Sequence, residues 1–530
     1  MSTPRLKHYG WGREGERMSE EERAFVLGGY REKFGRRSFE TRSPPRLEDI
    51  ALAPPRVAAP PSIAAFCTSE RYDRVAHTYG KSYTDYVRGM LGDYASAPDI
   101  VAYPRDEADI AAVMDWAGDL GASLAPFGGG SSVCGGVEHR LDGRHRAAVT
   151  IDLRNLGRVV EVDATSRAAK IEGGAFGPAL EAQLKPHSLT LRHFPQSFEY
   201  STLGGWIATR SGGHFATLYT HIDDLVEALR IVTPTGVVET RRLPGSGAGP
   251  SPDRLFIGSE GILGVITSAW MRLQLRPIHR AGGSVSFPTF FAAARAVRAL
   301  SQAGLYPSNC RILDPAEAYN TGAADGSVAI LVLAFESGDH PLDAWMKRAL
   351  ECCADYRGKA ETGGADAHLA GAAGLWRNAF IRMPYAREFL TPAGIINDTF
   401  ETSITWERFE AFHDKVKAAT EQAILDATGV KGEVTCRFTH AYPDGPAPYF
   451  SFHALGRHGA LIEQWRAIKA GASDALIDAG GTITHHHAVG RDHRPWYDRQ
   501  RPALFATALR ASKSALDPNG VMNPGVLIEP

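Results

Sequence analysis

The segment Phe127-Gly128-Gly129-Gly130-Ser131-Ser132-Val133-Cys134-Gly135-Gly136 decides how this chain is read. Glycine tolerates positive φ and carries no Cβ, so a run of three lets the backbone close tightly around a ligand. Successive amide N–H groups in such a turn make a concave anion site. Ser131 and Ser132 add hydroxyl donors. The chemistry that fits is a diphosphate. Neither G-x-x-x-x-G-K-[ST] nor an opening G-x-G-x-x-G occurs in the chain, so the turn is neither a Walker loop nor the usual dinucleotide fingerprint.

The residues upstream place the turn. Asp99 to Tyr103 reads as a strand stopped by Pro104, and Asp106 is a helix cap. Ile110, Val113, Met114, Ala117 and Leu120 share one helical face, Gly121 ends the helix, and Ser123 to Phe127 is a second strand. The turn therefore closes a strand–helix–strand unit. Downstream, strands are expected at 149–153, 159–162 and 168–172, with a helix near 178–184. An exposed loop is expected over 243–252, where Gly, Pro and Ser dominate. After Leu275 the character changes to strands at 284–287 and 328–335, and helices at 291–303, 342–353, 407–428 and 461–479.

Composition bounds the rest. At 530 residues the chain exceeds one hydrophobic core. Its 44% apolar and 22% charged residues are those of a globular protein. With 58 basic and 60 acidic residues it has no footprint for nucleic acid. Six cysteines without a C-x-x-C fit a reducing cytoplasm. No signal peptide opens the polar N-terminus, and the longest clean apolar run, Val328 to Phe335, is too short to span a membrane.

Two further segments join the Gly-rich turn. One is Pro195-Gln196-Ser197-Phe198-Glu199-Tyr200-Ser201-Thr202-Leu203-Gly204-Gly205, continuing to Thr209-Arg210-Ser211. The other is Gly258-Ser259-Glu260-Gly261-Ile262-Leu263-Gly264-Val265-Ile266. In this order and spacing the three resemble the FAD-binding domain of the vanillyl-alcohol oxidase type of flavoprotein. The resemblance implies an α+β architecture: a two-subdomain FAD-binding domain with an α+β cap domain over the flavin ring. The expected layout is a helical arm and Pro-rich linker (1–95), the FAD-binding domain (96–277), the cap or substrate domain (278–487) and a return to the FAD domain (488–530). It also implies cofactor contacts from Phe127, Gly128, Gly129, Gly130, Ser131, Ser132 and Val133. Further contacts are expected from Pro195, Gln196, Ser197, Ser201, Thr202, Gly205, Thr209, Arg210, Ser211, Glu260, Gly261, Gly264, Val265 and Ile266. Cys134 is the one cysteine or histidine in the Gly-rich loop, and non-covalent FAD is expected.

A narrower resemblance covers most of the chain. His8-Tyr9-Gly10-Trp11-Gly12, Arg311-Ile312-Leu313-Asp314, Phe400-Glu401-Thr402-Ser403, Cys436-Arg437-Phe438-Thr439 and Thr484-His485-His486-His487-Ala488-Val489-Gly490 are similar to the alkyldihydroxyacetonephosphate synthase family. That family exchanges the acyl group of acyl-dihydroxyacetone phosphate for a fatty alcohol, without net redox change. The resemblance makes Tyr449 the acid/base and Arg387 the substrate-binding arginine. It makes Arg311 a second arginine needed for activity and puts Thr399 where the family has serine. A phenol has a pKa near 10, so His485, His486 and His487 are expected to tune Tyr449. After the strand-like Gly481 to Thr484, an extended run would turn His485 and His487 one way and His486 the other. No zinc signature matches this spacing, and no metal is expected.

Gln196 stands where the family has an acid, and Met522-Asn523-Pro524-Gly525 looks more like flavin-dependent 2-hydroxy-acid dehydrogenases. Oxidation of a 2-hydroxy acid or alcohol is the competing reading, and a silent flavin- or lipid-binding protein is the third. The expected partners are a small-molecule or lipid substrate, with peripheral membrane contact and a homodimer both compatible with the chain.

Overall fold

The computed structural model describes residues 5–141, 143–362 and 371–529. Three sheets organise it, with a short two-stranded pair beside them. The first holds the strand–helix–strand unit. Ile100–Ala102 and Ser123–Phe127 both pair in parallel with Ala148–Asp152 between them, and Cys67–Thr68 adds an antiparallel edge. The linking helix Glu107–Leu120 starts where the Asp106 carboxylate accepts the Asp109 N–H (2.9 Å). It stops at Gly121 with φ +68°, a left-handed cap that suits glycine. Ile110, Val113, Met114 and Ala117 are its buried residues. The C-terminal segment returns here: Leu124 donates to the Val521 carbonyl (2.7 Å) and Asn523 to the Leu124 carbonyl (2.7 Å).

The second sheet is antiparallel, in the order Val159–Asp163, Ala168–Glu172, Val265–Arg272, Val226–Thr233, Gly236–Glu239. Helices Gly177–Leu184 and Leu203–Thr209 pack on it through Leu180, Leu184, Leu203 and Ile207.

The third sheet has seven antiparallel strands, in the order Lys359–Thr362, His279–Phe287, Ala329–Ser337, Asn309–Leu313, Glu433–Ala441, Pro446–Leu455, Ile395–Glu401. Side chains alternate between its faces. Cys310, Ile312, Cys436, Phe438, Phe450 and Phe452 share a core with helices Phe290–Gln302, Trp406–Thr428 and Leu461–Asp478. Arg311, Arg437, Thr439, Tyr449, Ser451 and His453 come from alternate positions and line a cavity on the other face.

The N-terminal helix Glu20–Lys33 is opened by a reciprocal Ser19–Glu22 capping box. It lies against helix Gly371–Leu390. Tyr30 is buried, and its hydroxyl meets His453 Nδ1 (2.7 Å) and accepts from Asn397 Nδ2 (2.7 Å). Lys33 pairs with Glu433, and Arg382 with Glu22 at 2.7 Å. The arm is thus closed over the third sheet. Among the described residues, no helix is long and apolar enough to cross a membrane.

Candidate active site

One cavity of about 1440 Å³ touches all three motif segments and the inner face of the third sheet. Ordinary ligand pockets run to roughly 300–1,000 Å³, so this one holds more than a single small molecule. Its wall includes Phe127 to Val133, Pro195 to Ser197, Ser201, Thr202, Gly205, Thr209, Ser211, Glu260, Gly261, Gly264, Val265 and Ile266. Two expected residues do not reach it. Arg210 turns outward, its guanidinium paired with Asp223 at 2.8 Å, because it occupies the left-handed end of helix Leu203–Thr209. His485 sits behind the wall.

The Gly-rich loop has the shape its residue types require. A Cβ on Gly129 would stand 1.7 Å from the Tyr200 carbonyl oxygen, and one on Gly128 2.2 Å from Thr202 Oγ1. Gly130 has φ +66° and lies against the Phe127 ring. The loop is therefore pressed onto the 195–205 segment. Among the described residues, no backbone hydrogen bond uses the amide N–H of Gly129, Gly130, Ser131, Ser132 or Val133. Those donors are available to a diphosphate, and the loop fits FAD. The Gly129→Ala protein should purify without flavin absorbance, since the loop cannot close with a methyl group there. Full flavin occupancy in that variant would refute the cradle.

Arg311, Arg387, Thr399, Arg437, Tyr449, His486 and His487 line the same cavity. Arg311 is 3% exposed, and its Nε and Nη1 have no hydrogen-bond partner. Burial, then the neighbouring Arg437, pulls its pKa down to about 9. Trp376 and Phe380 face its guanidinium at 5.1 and 5.2 Å. Arg387 differs: it pairs with Asp398 and donates to the Lys81 carbonyl at 3.0 Å. It stands on the cavity wall as the expected substrate-binding arginine would, with its charge balanced by Asp398. Tyr449 donates to Thr399 Oγ1 (2.9 Å) and stacks under Arg437, whose Cζ is 4.0 Å from the ring centre.

Two family models match this chain, "FAD binding domain" over residues 98–241 and "FAD linked oxidases, C-terminal domain" over 276–527. An alkyldihydroxyacetonephosphate synthase of Dictyostelium discoideum is 30% identical over 482 residues, covering 87% of this chain and 78% of that protein. The chain belongs to the alkyldihydroxyacetonephosphate synthase family. A solved alkyldihydroxyacetonephosphate synthase structure shares the fold with TM-score 0.80 over 98% of each chain, at 24% identity. A p-cresol methylhydroxylase shares it with TM-score 0.69 over 97% of this chain and 98% of its own, at 13% identity. The FAD-binding domain with its α+β cap is therefore the architecture, and FAD is the cofactor.

Within this family frame the histidine run departs from the extended reading. Residues 481–487 form no strand, because they wrap one carboxylate. Glu401 is 2% exposed and accepts from the His485, His486 (3.1 Å) and His487 (2.8 Å) N–H groups and from Thr484 Oγ1 (2.6 Å). Burial alone would raise its pKa. The convergent donors and neighbouring histidines overcome that and hold it below the usual carboxylate range. Burial pushes all three imidazoles down, His485 to about 4, against the opposing pull of the Glu401 carboxylate.

Of these rings, His486 and His487 lie against Tyr449, with centroids 6.0 and 5.5 Å from its own. Burial raises the phenol, and the groups opposing it are Arg437, the Thr399 hydrogen bond and Arg387. Gln196, in place of an acid, donates to the Phe380 carbonyl (2.7 Å) and fastens helix Gly371–Leu390 to the FAD-binding domain. Cys134 is buried, and its thiol donates to the His487 carbonyl (3.2 Å).

Several site residues escaped the sequence reading. Lys81 lines the cavity beside the Gly-rich loop, and burial lowers its pKa to about 8. Arg437 and His440 also line it. Arg437 and Thr439 carried a usable signal, since they alternate with Cys436 and Phe438 in one strand. His440, His485 and His486 bring one ring nitrogen each within 4.8 Å of one another, a spacing a metal ion could use. No local motif announces that cluster, because His440 lies far from the run in sequence.

Proposed function

We propose that this protein exchanges the acyl group of an acyl-dihydroxyacetone phosphate for a fatty alcohol, giving an ether-linked product and a free fatty acid. The observation that carries the reading is Arg311. It is a buried guanidinium with unused donors, on the cavity wall shared with Tyr449 and the flavin loop. A dianionic phosphate matches that fork of donors. Arg437, paired with Glu317 and stacked on Tyr449, adds positive potential beside the phenol.

FAD would be held non-covalently by the Gly-rich loop, the 195–205 segment and Glu260 to Ile266. When bound, it supplies the electron-accepting ring that activates the substrate carbon. Tyr449 gives a proton to, or takes one from, the reacting three-carbon unit, with Thr399 Oγ1 holding its hydroxyl. Arg387, through Asp398, keeps helix Gly371–Leu390 in place on strand Ile395–Glu401. The alcohol loses one proton as its oxygen joins carbon, and the acyl group leaves as carboxylate, so the exchange releases one proton and no electrons.

Phe25, Leu375 and Met383 line the same cavity and are 79%, 52% and 39% exposed. An alkyl chain would leave the reacting centre toward this apolar rim, which suits substrate drawn from a membrane surface.

The test mixes the yellow protein anaerobically with palmitoyl-dihydroxyacetone phosphate and then hexadecanol. The expected result is release of palmitate and return of the oxidised flavin spectrum once the alcohol is added. Lasting flavin bleaching by 2-hydroxy acids, with no palmitate released, would replace this reading with the redox one.

A further inference from the structure

We propose that Tyr442 and His221 form the outer half of a proton relay that joins the cavity-facing histidine His486 to the protein exterior. The inference rests on the acid–base chemistry proposed above and extends it to residues outside the cavity.

The relay has four members in line. His486 is in the cavity wall, its ring nearly parallel to that of Tyr449 (24°, centroids 6.0 Å apart). Its Nδ1 lies 3.0 Å from His485 Nδ1. His485 Nε2 lies 2.8 Å from the Tyr442 hydroxyl, and the same hydroxyl contacts His221 Nε2. His485, Tyr442 and His221 do not line the cavity, and Tyr442 and His221 are partly exposed. The line thus runs from the cavity wall outward.

Each contact can pass a proton. Two facing imidazole nitrogens share one hydrogen, and a phenol hydroxyl donates on one side while accepting on the other. A proton arriving on His486 moves from its Nδ1 to His485 Nδ1. His485 Nε2–H passes a proton to the Tyr442 oxygen, the Tyr442 hydroxyl passes its own to His221 Nε2, and His221 releases one to water. The net change is one proton moved out per exchange, matching the proton that etherification releases. Rotation of the Tyr442 hydroxyl and tautomer exchange of the imidazoles then reset the line without carrying the proton back.

The backbone holds this geometry independently of the rings. Glu401 pins the N–H groups of His485 and His486, and its carboxylate also lies 3.6 Å from His486 Nδ1. His440, packed 5.1 Å from the His485 ring, is committed elsewhere: its Nε2 meets the Gly213 carbonyl (2.9 Å) and its Nδ1 Thr439 Oγ1 (3.1 Å). A metal ion on His440, His485 and His486 would take one nitrogen from each ring and so displace one of these His440 bonds. The existing hydrogen bonds therefore favour proton transfer over metal binding.

The test is Tyr442→Phe, which removes one oxygen and both central hydrogen bonds, with His221→Gln as a milder change at the outer end. Each is compared with the parent as purified flavoprotein. Tyr442→Phe should lower kcat by about 10²-fold with KM within about twofold. The solvent deuterium isotope effect should rise, and added imidazole should restore part of the rate to His221→Ala. A packing role alone would not respond to imidazole. Parental turnover with a parental isotope effect in both Tyr442→Phe and His221→Gln would overturn the relay. So would stoichiometric metal in the purified protein that is lost in His440→Ala. If the parent bleaches with 2-hydroxy acids instead of releasing palmitate, the same ratios are measured on that reaction, which separates failure of the relay from failure of the substrate assignment.

Discussion

Arg311→Met is expected to make the ligand-free protein more stable and the enzyme nearly inactive. A buried charge without partners costs several kcal/mol, and replacing it with an apolar side chain of similar length removes that cost. Contacts with Trp376 and Phe380 return part of it, up to about 2 kcal/mol for a desolvated cation over rings. The net gain should be on the order of 1 kcal/mol, read as a rise in Tm. Activity should move the other way. Two charge-assisted hydrogen bonds to a phosphate are worth roughly 1.5–3 kcal/mol each, so kcat/KM should fall by about 10²–10⁴-fold. Flavin content should not change, because Arg311 lies in strand Asn309–Leu313, outside the three segments that would hold the flavin. Thermal melts, flavin absorbance and steady-state kinetics on one preparation check all three. A variant with kcat/KM within threefold of the parent would remove Arg311 from the substrate site.

Tyr449→Phe should lower kcat by about 10²–10⁴-fold while KM and flavin binding stay near parental values. The substitution removes a hydroxyl whose hydrogen bond in the protein is to Thr399, so the loss of stability should be about 1 kcal/mol. The direction of the phenol's shift adds a pH test. Burial raises its pKa above 10 even against Arg437, so Tyr449 stays protonated in the resting enzyme across the neutral range. A rate that depends on that proton should hold through pH 7–9, with no alkaline loss due to Tyr449 until above pH 10. Undiminished turnover in Tyr449→Phe would assign the acid–base role to another group, with His486 next in place on the wall.

The cap sheet shows where local reading fails. Strand Pro446–Leu455 contains two prolines, Pro446 and Pro448, a residue type that disfavours a strand between two neighbours. Both fall near its start, and its neighbours on either side, Ile395–Glu401 and Glu433–Ala441, supply the pairing. Helix Gly371–Leu390 was also not evident, with Pro384 inside it. By contrast, the unit from Ile100 to Phe127 was legible almost to the residue. Its signals are an Asp cap, apolar positions at helical spacing and a glycine stop, and all act within a few residues of one another.

The sequence by itself therefore determined what depends on neighbours along the chain: the Gly-rich cradle, the amphipathic helices, and the family that its motifs resemble. The tertiary structure decided which charges are spent and which are free. Arg387 and Arg311 look equivalent as residues, yet among the described residues Asp398 pairs with one and no carboxylate pairs with the other. The histidine run looks like an alternating strand until Glu401, more than 80 residues away, gathers its backbone N–H groups. Tyr442 becomes a candidate relay residue because folding puts His485 and His221 on either side of its hydroxyl. Periodicity carries information over one or two turns of chain, whereas the free energy of a buried charge or a shared proton is set by whatever the fold brings within about 3 Å.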